Sequence, residues 1–218
     1  MRARPVFVTG GTGYIGRPLI EALIDRGYPV HALVRPGSEA RLPSGAMRVS
    51  GDALDAGSFA AAIPAGATMV HLVGTPHPNP SKADEFQRVD LGSIRAAATA
   101  AQLAQASHIV YVSVAHPAPV MEAYIAARTE GEAAVAATGI PATIVRPWYV
   151  IGPGHRWPVL LLPAYALLRL LPATRETAER LGLVTRAQMI AALLDAVANP
   201  PAAGMRVVEV PEIRRAGS

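Results

Sequence analysis

An α/β chain with helices on both faces of a doubly wound, mostly parallel sheet is the fold class the sequence predicts. Two observations predict it. Short β-rich runs alternate with alanine-rich helical stretches along the 218 residues, and a glycine-rich turn joins the first run to the first helix. With 51% apolar and 17% charged residues, the chain lies far from disorder-prone compositions and is long enough for one well-buried core. One unit over 1–218 is expected, with 148–185 forming a small substrate-side region towards the C-terminus.

Val6-Phe7-Val8 reads as the first strand. Ile15, Leu19, Ile20, Leu23 and Ile24 then recur at helical spacing within 14–26, and Gly27 ends the helix. Further strands are expected at Val30 to Val34, at Met47-Arg48-Val49 and from Thr68 to Val73. A long helix near 84–105 leads into the strand His108 to Val112. A helix near 121–138, the strand Ala142 to Val145, a helix near 186–198 and a last strand Arg206 to Val210 complete the series. Strand, helix and strand in repetition imply right-handed crossovers.

Composition narrows the function. Without cysteine there is no disulfide, thiolate metal site or cysteine nucleophile. The net charge of +4 comes from scattered arginines, and aromatics are only 5%, so nucleic acid is not an expected partner. The opening MRARPVFVTGG runs into a glycine turn rather than an apolar leader, which makes a cytoplasmic location the expectation. Residues 157–172 are very apolar but carry Pro158, Pro163 and Arg169, too interrupted for a membrane span. They read as a packed helix, an apolar substrate wall, or a patch meeting a membrane surface or partner.

The most informative motif is Thr9-Gly10-Gly11-Thr12-Gly13-Tyr14-Ile15-Gly16, placed directly after the first strand and opening the first helix. Gly10 permits a tight turn, Gly13 lets the backbone approach a pyrophosphate, and Gly16 allows close packing of helix and strand. Free N–H groups at the helix start then suit phosphates. Arg35 stands where an NAD-specific site usually places a carboxylate, and Arg17 adds a second charge; a guanidinium there favours NADP(H) over NAD(H). Asp52, beside Ala53, is placed to accept from the adenine amino group. At the end of the fourth strand, Leu72-Val73-Gly74-Thr75 offers a small residue against which a ribose can lie.

These residues resemble the short-chain dehydrogenase/reductase superfamily, in particular its atypical members near the NmrA-like and complex-I-subunit-like groups. The resemblance runs through TGGTGYIG at 9–16, GD at 51–52, HLVG at 71–74, VDLGS at 89–93 and YVS at 111–113. It continues through Tyr124 with Glu132, and through Ile144-Val145-Arg146-Pro147 followed by Gly152-Pro153. It implies a Rossmann-type sheet and a cofactor set of Gly10, Thr12, Gly13, Tyr14, Ile15, Gly16, Arg35, Asp52, Ala53, Val73, Gly74, Thr75, Arg128 and Pro147. For active members it also implies hydride transfer assisted by a serine, a tyrosine and a lysine. The serine corresponds to Ser113 and the tyrosine to Tyr124, but the lysine position holds Arg128. Four residues apart on a helix, Tyr124 and Arg128 share a face. Arginine supplies the cation but never deprotonates, so it cannot relay a proton as an ammonium does.

His77, His116 and His155 follow the fourth, fifth and sixth strands, among Pro76, Pro78, Trp148, Tyr149 and Trp157. Ligands of an open parallel sheet bind beyond its strands' C-terminal ends. The expected substrate set is therefore His77, His116, Trp148, Tyr149 and His155, around a small, apolar molecule. The histidines lack short-range spacing and a neighbouring carboxylate pattern, so no metal is expected. Two functions follow: an NADP(H)-dependent oxidoreductase or epimerase-like enzyme, or a non-catalytic dinucleotide-binding redox sensor or structural subunit. The oligomeric state stays open.

Overall fold

The computed structural model describes residues 3–154, 176–177 and 179–217. The chain begins β1 (Val6–Thr9), α1 (Gly16–Asp25), β2 (Val30–Val34), β3 (Met47–Ser50), β4 (Thr68–His71) and α2 (Ala83–Glu85). It continues with α3 (Gly92–Leu103), β5 (His108–Val112), α4 (Glu122–Ala137), β6 (Ala142–Arg146) and β7 (Tyr149–Ile151). After these come β8 (Leu183–Thr185), α5 (Arg186–Ala198), β9 (Met205–Glu209) and α6 (Val210–Ala216).

Seven strands form one sheet in the order β3-β2-β1-β4-β5-β6-β9, every pairing parallel. The chain winds outward from β1 to β3, then returns to lay β4 on the other side of β1. That reversal opens a crevice beyond the C-terminal ends of β1 and β4. Both faces of the central strands are buried, which is why they read as unbroken apolar runs. Val6 and Val8 face Leu19, Ile20 and Leu23 of α1 and Met189 and Leu193 of α5. Phe7, one step out of phase, faces the opposite core with Met69, Ile109, Phe86 and Ile94.

Several boundaries differ from expectation. The helix near 84–105 is broken: α2 passes into a π-helical segment, Phe86–Leu91, before α3 begins. The fourth strand ends at His71, so Leu72 and Val73 belong to the loop that follows. The last strand stops at Glu209 because a reciprocal cap between Glu209 and Glu212 starts α6, with Pro211 in its first turn. Within 148–185, β7 and β8 pair in parallel as a separate two-stranded sheet. The 157–172 stretch lies outside the described residues. Among those described, no helix is long and apolar enough to cross a membrane.

Two histidines sit inside the sheet as neutral hydrogen-bonding groups. His71 Nδ1 lies 2.8 Å from Thr9 Oγ1 and its Nε2 3.1 Å from Ser93 Oγ, linking β4 to β1 and α3. Burial, with a contribution from Arg128, pushes His71 down to about 3. His108, bonded to Thr143, is pushed down to about 4, mainly by burial and further by Arg206 and Arg4. An unfolded histidine takes up its proton near 6.5, whereas these two resist protonation in the folded state. The unfolded chain therefore binds more protons below that pH. Stability is fully present above about pH 6.5 and falls as pH drops towards these lowered values. Urea unfolding at pH 6.5, 5.5 and 4.5 should show His71→Asn losing stability more gently than wild type, by about 1.4 kcal/mol per pH unit. Equal slopes would contradict the buried neutral histidine.

Candidate functional site

A cavity of about 380 Å³ opens at the C-terminal ends of β1, β4, β5 and β6, where the strand order reverses. Its first wall is the glycine turn. Gly10 adopts φ +74°, and Gly13 N–H donates to the Gly10 carbonyl at 3.0 Å, closing the turn. A Cβ on Gly16 would collide with that same carbonyl and lie 2.7 Å from Gly11 Cα. Helix α1 can thus start immediately beneath the turn. It does so with Ile15 at the cap position and no side-chain acceptor for its first N–H groups. Such N–H groups, at the positive end of a helix, suit an anion.

The opposite wall is built around a buried ion pair. Asp90, fully buried, comes from the π-helical segment and meets Arg128 of α4, its Oδ1 lying 2.6 Å from Nη2. Asp90 Oδ2 accepts from the Thr75 backbone N–H at 3.0 Å and from the Thr75 hydroxyl at 2.6 Å. Arg128 Nη1 donates to the Val112 carbonyl at 2.9 Å, and its guanidinium lies 5.2 Å from the Tyr124 ring centre and 5.8 Å from that of Tyr111. Burial acts to lower the Arg128 pKa, but Tyr124, Tyr111 and Asp90 outweigh it and raise it above the usual arginine value. Tyr111 is pushed up to about 12, chiefly by burial. Ser113, one residue past β5, lines the cavity with a buried hydroxyl that has no hydrogen-bond partner among the described residues.

Most of the expected residues meet here. Gly10, Gly13, Tyr14, Ile15, Gly16, Gly74, Thr75, Ser113, Tyr124, Arg128 and Pro147 all line the cavity, together with His77 and Trp148. Leu72 and Pro76 add apolar surface, as do Val112, Val114 and Val150, which sequence reasoning had not assigned to the site. Thr12 and Val73 lie in its loops without lining it, while Arg35, Asp52 and Ala53 follow β2 and β3 on the same edge of the sheet. Arg35 is exposed, whereas Arg17 bonds to Glu21 at 3.2 Å on the helix surface. Asp52 Oδ1 accepts from the Leu54 N–H at 3.0 Å.

Of the two described histidines of this set, only His77 lines the cavity. His116 Nε2 lies 3.7 Å from Glu132 Oε1, and His155 is outside the described residues. Glu132 is held by Arg146 Nε at 2.9 Å, and Arg146 also reaches Glu209 at 3.0 Å, joining α4 to the β6–β9 edge. Tyr149 belongs to β7, its ring edge-on to Trp148 at 5.7 Å. Asp90 is the residue that reading the sequence missed. It was visible only as part of VDLGS, and within an expected regular helix nothing marked it as facing Arg128.

A parallel sheet with this reversal, a glycine turn and an uncapped helix start defines a dinucleotide-binding fold. The chain belongs to the NAD(P)H-binding family, whose model matches residues 10–156, and has a Rossmann-type fold. It is 32% identical over 219 aligned positions to a ceramide reductase of Caulobacter vibrioides, covering 97% of this chain and 66% of that protein. It is 34% identical over 157 positions to a chloroplastic divinyl chlorophyllide a 8-vinyl-reductase of Oryza sativa subsp. indica, covering 65% of this chain and 39% of that one. The chain thus spans less than two thirds of either relative's length. Among solved structures, a short-chain dehydrogenase/reductase superfamily protein of Agrobacterium tumefaciens with bound NAD superposes with a TM-score of 0.68 at 20% identity, covering 93% of this chain and 76% of that one. A putative epimerase of Burkholderia cenocepacia also gives 0.68, at 23% identity, covering 98% and 80%.

Gly74 acquires a second reason to be small. A Cβ there would run into Arg128 Nη2 and sit 3.2 Å from Asp90 Oδ1. Gly74→Ala should displace the ion pair and destabilise the protein by about 1–3 kcal/mol, read as a lowered urea midpoint. An unchanged midpoint would show that the pair does not press on this loop.

Proposed function

We propose that the protein is an NADP(H)-dependent reductase of a small, largely apolar carbonyl or ring substrate. The observation that carries this reading is the convergence of Ser113, Tyr124 and Arg128 on the same cavity as the glycine turn. The residues fit the cofactor. Gly10, Gly13 and Gly16 put no side chain on the turn where the diphosphate would lie, and the Ser113 hydroxyl is a buried polar group without a hydrogen-bond partner among the described residues that a bound ligand would satisfy. Arg128 would hold ribose hydroxyls with the N–H groups not used by Asp90 and Val112, since each Nη carries two hydrogens. Exposed Arg35 would take the 2′-phosphate.

When bound, the reduced nicotinamide supplies the hydride. Tyr124 supplies the proton to the substrate oxygen, and Ser113 donates a hydrogen bond that holds that oxygen in place. Leu72, Pro76, Val114, Trp148 and Val150 supply the apolar surface that favours a substrate of that character. Both curated relatives described above carry reductase names, which supports reduction as the reaction class.

Thermal shift with NADPH and NADH titrated separately ranks the cofactors. A ligand at 100 times its dissociation constant stabilises by about 2.7 kcal/mol. NADPH should give the larger shift, and Arg35→Glu should reverse the order; an unaltered order removes Arg35 from recognition. Tyr124→Phe should reduce turnover of carbonyl substrates about 10²–10⁴-fold while leaving NADPH affinity nearly intact. Full turnover in that variant would exclude Tyr124 as the acid.

A further inference from the structure

Arg128 is the only arginine or lysine among the described residues that line the cavity. A bare guanidinium there would place a full positive charge, itself buried, in the cavity wall. Asp90 prevents this: it is fully buried, 2.6 Å from the guanidinium, and fixed from behind by two hydrogen bonds from Thr75. Two details show that the arrangement is built in. The π-helical segment delivers Asp90 at this position, and Gly74 leaves space for the pair that any larger residue would fill.

The charge matters because the two redox forms of a nicotinamide differ at this end of the molecule. The oxidised ring is positive and the reduced ring is neutral. We propose that Asp90 sets the balance between oxidised and reduced cofactor: by neutralising Arg128 it lets the positive, oxidised ring occupy a site where that guanidinium would otherwise repel it. The inference rests on the reading above, in which Arg128 holds the ribose hydroxyls and the nicotinamide ring joined to that ribose lies within reach of its charge. In physical terms Asp90 is a positioning and charge-balancing residue that acts through Arg128.

The test is a binding measurement and needs no substrate. Calorimetry at pH 8 gives dissociation constants for NADP+ and NADPH with wild type, Asp90→Asn, Arg128→Gln and the double variant. Asp90→Asn leaves the cation uncompensated and should weaken NADP+ about tenfold more than NADPH. Arg128→Gln leaves the carboxylate and should shift the ratio of the two constants the other way. The double variant, neutral again, should return that ratio to within about threefold of wild type. A merely structural role would move both cofactor forms together in each variant, and that result would overturn the proposal. If Asp90→Asn fails to fold, the comparison of Arg128→Gln with the double variant decides: a ratio unchanged between them overturns it, and a shift towards NADP+ in the single variant supports it. Wild-type protein that binds neither form would overturn the dinucleotide reading as well, an outcome distinct from equal shifts in both forms.

Discussion

Two opposite charges taken out of water together, Asp90 and Arg128, hold the walls of the cavity in one geometry. Burying such a pair is costly unless the remaining hydrogen-bonding groups are satisfied. Here Thr75 supplies two donors to Asp90 Oδ2 and Val112 an acceptor to Arg128 Nη1, while Arg128 Nε is buried with no hydrogen-bond partner among the described residues. One pair thereby joins the loop after β4, the end of β5 and the helix that carries Tyr124. Removal of either partner leaves an uncompensated charge in a low-dielectric setting, so the two residues are expected to be strongly coupled.

The sheet supplies what the pair cannot, a fixed edge on which to build. Continuous parallel pairing sets the ends of β1, β4, β5 and β6 side by side, and the change of winding direction after β3 leaves room above them. The close contact of Gly16 with the Gly10 turn brings the start of α1 to that edge. On the far side, Glu132, Arg146 and Glu209 fasten α4 to the last strands. The helix carrying Tyr124 and Arg128 is therefore held at both its cavity end and its back.

Much of this was legible in the sequence because it follows from local periodicity. The central strands of the main sheet are marked by apolar runs and the glycine turn by its spacing, so fold class and cofactor edge emerge from residues close in the chain. What was hidden depends on contacts between distant residues. Asp90 faces Arg128 only because a π-helical segment interrupts an otherwise regular helical pattern, and no period announces that interruption. Three-residue strands such as β7 and β8 are too short to show alternation. Val210 continued an apolar run and so read as strand, although the Glu209–Glu212 cap starts a helix there. His116 looked equivalent to His77 from its position after a strand, yet its side chain turns towards Glu132.

Amide and arginine side-chain NMR shifts, followed as NADPH is added to isotopically labelled protein, test the central claim most directly. The account predicts that the largest changes fall on the Gly10–Gly16 turn, on Gly74, Thr75 and Ser113, and on the Arg128 Nε–H resonance. Changes confined instead to the apolar groove between α1 and α5, around Ala22, Ile151, Ile190 and Leu194, would contradict it.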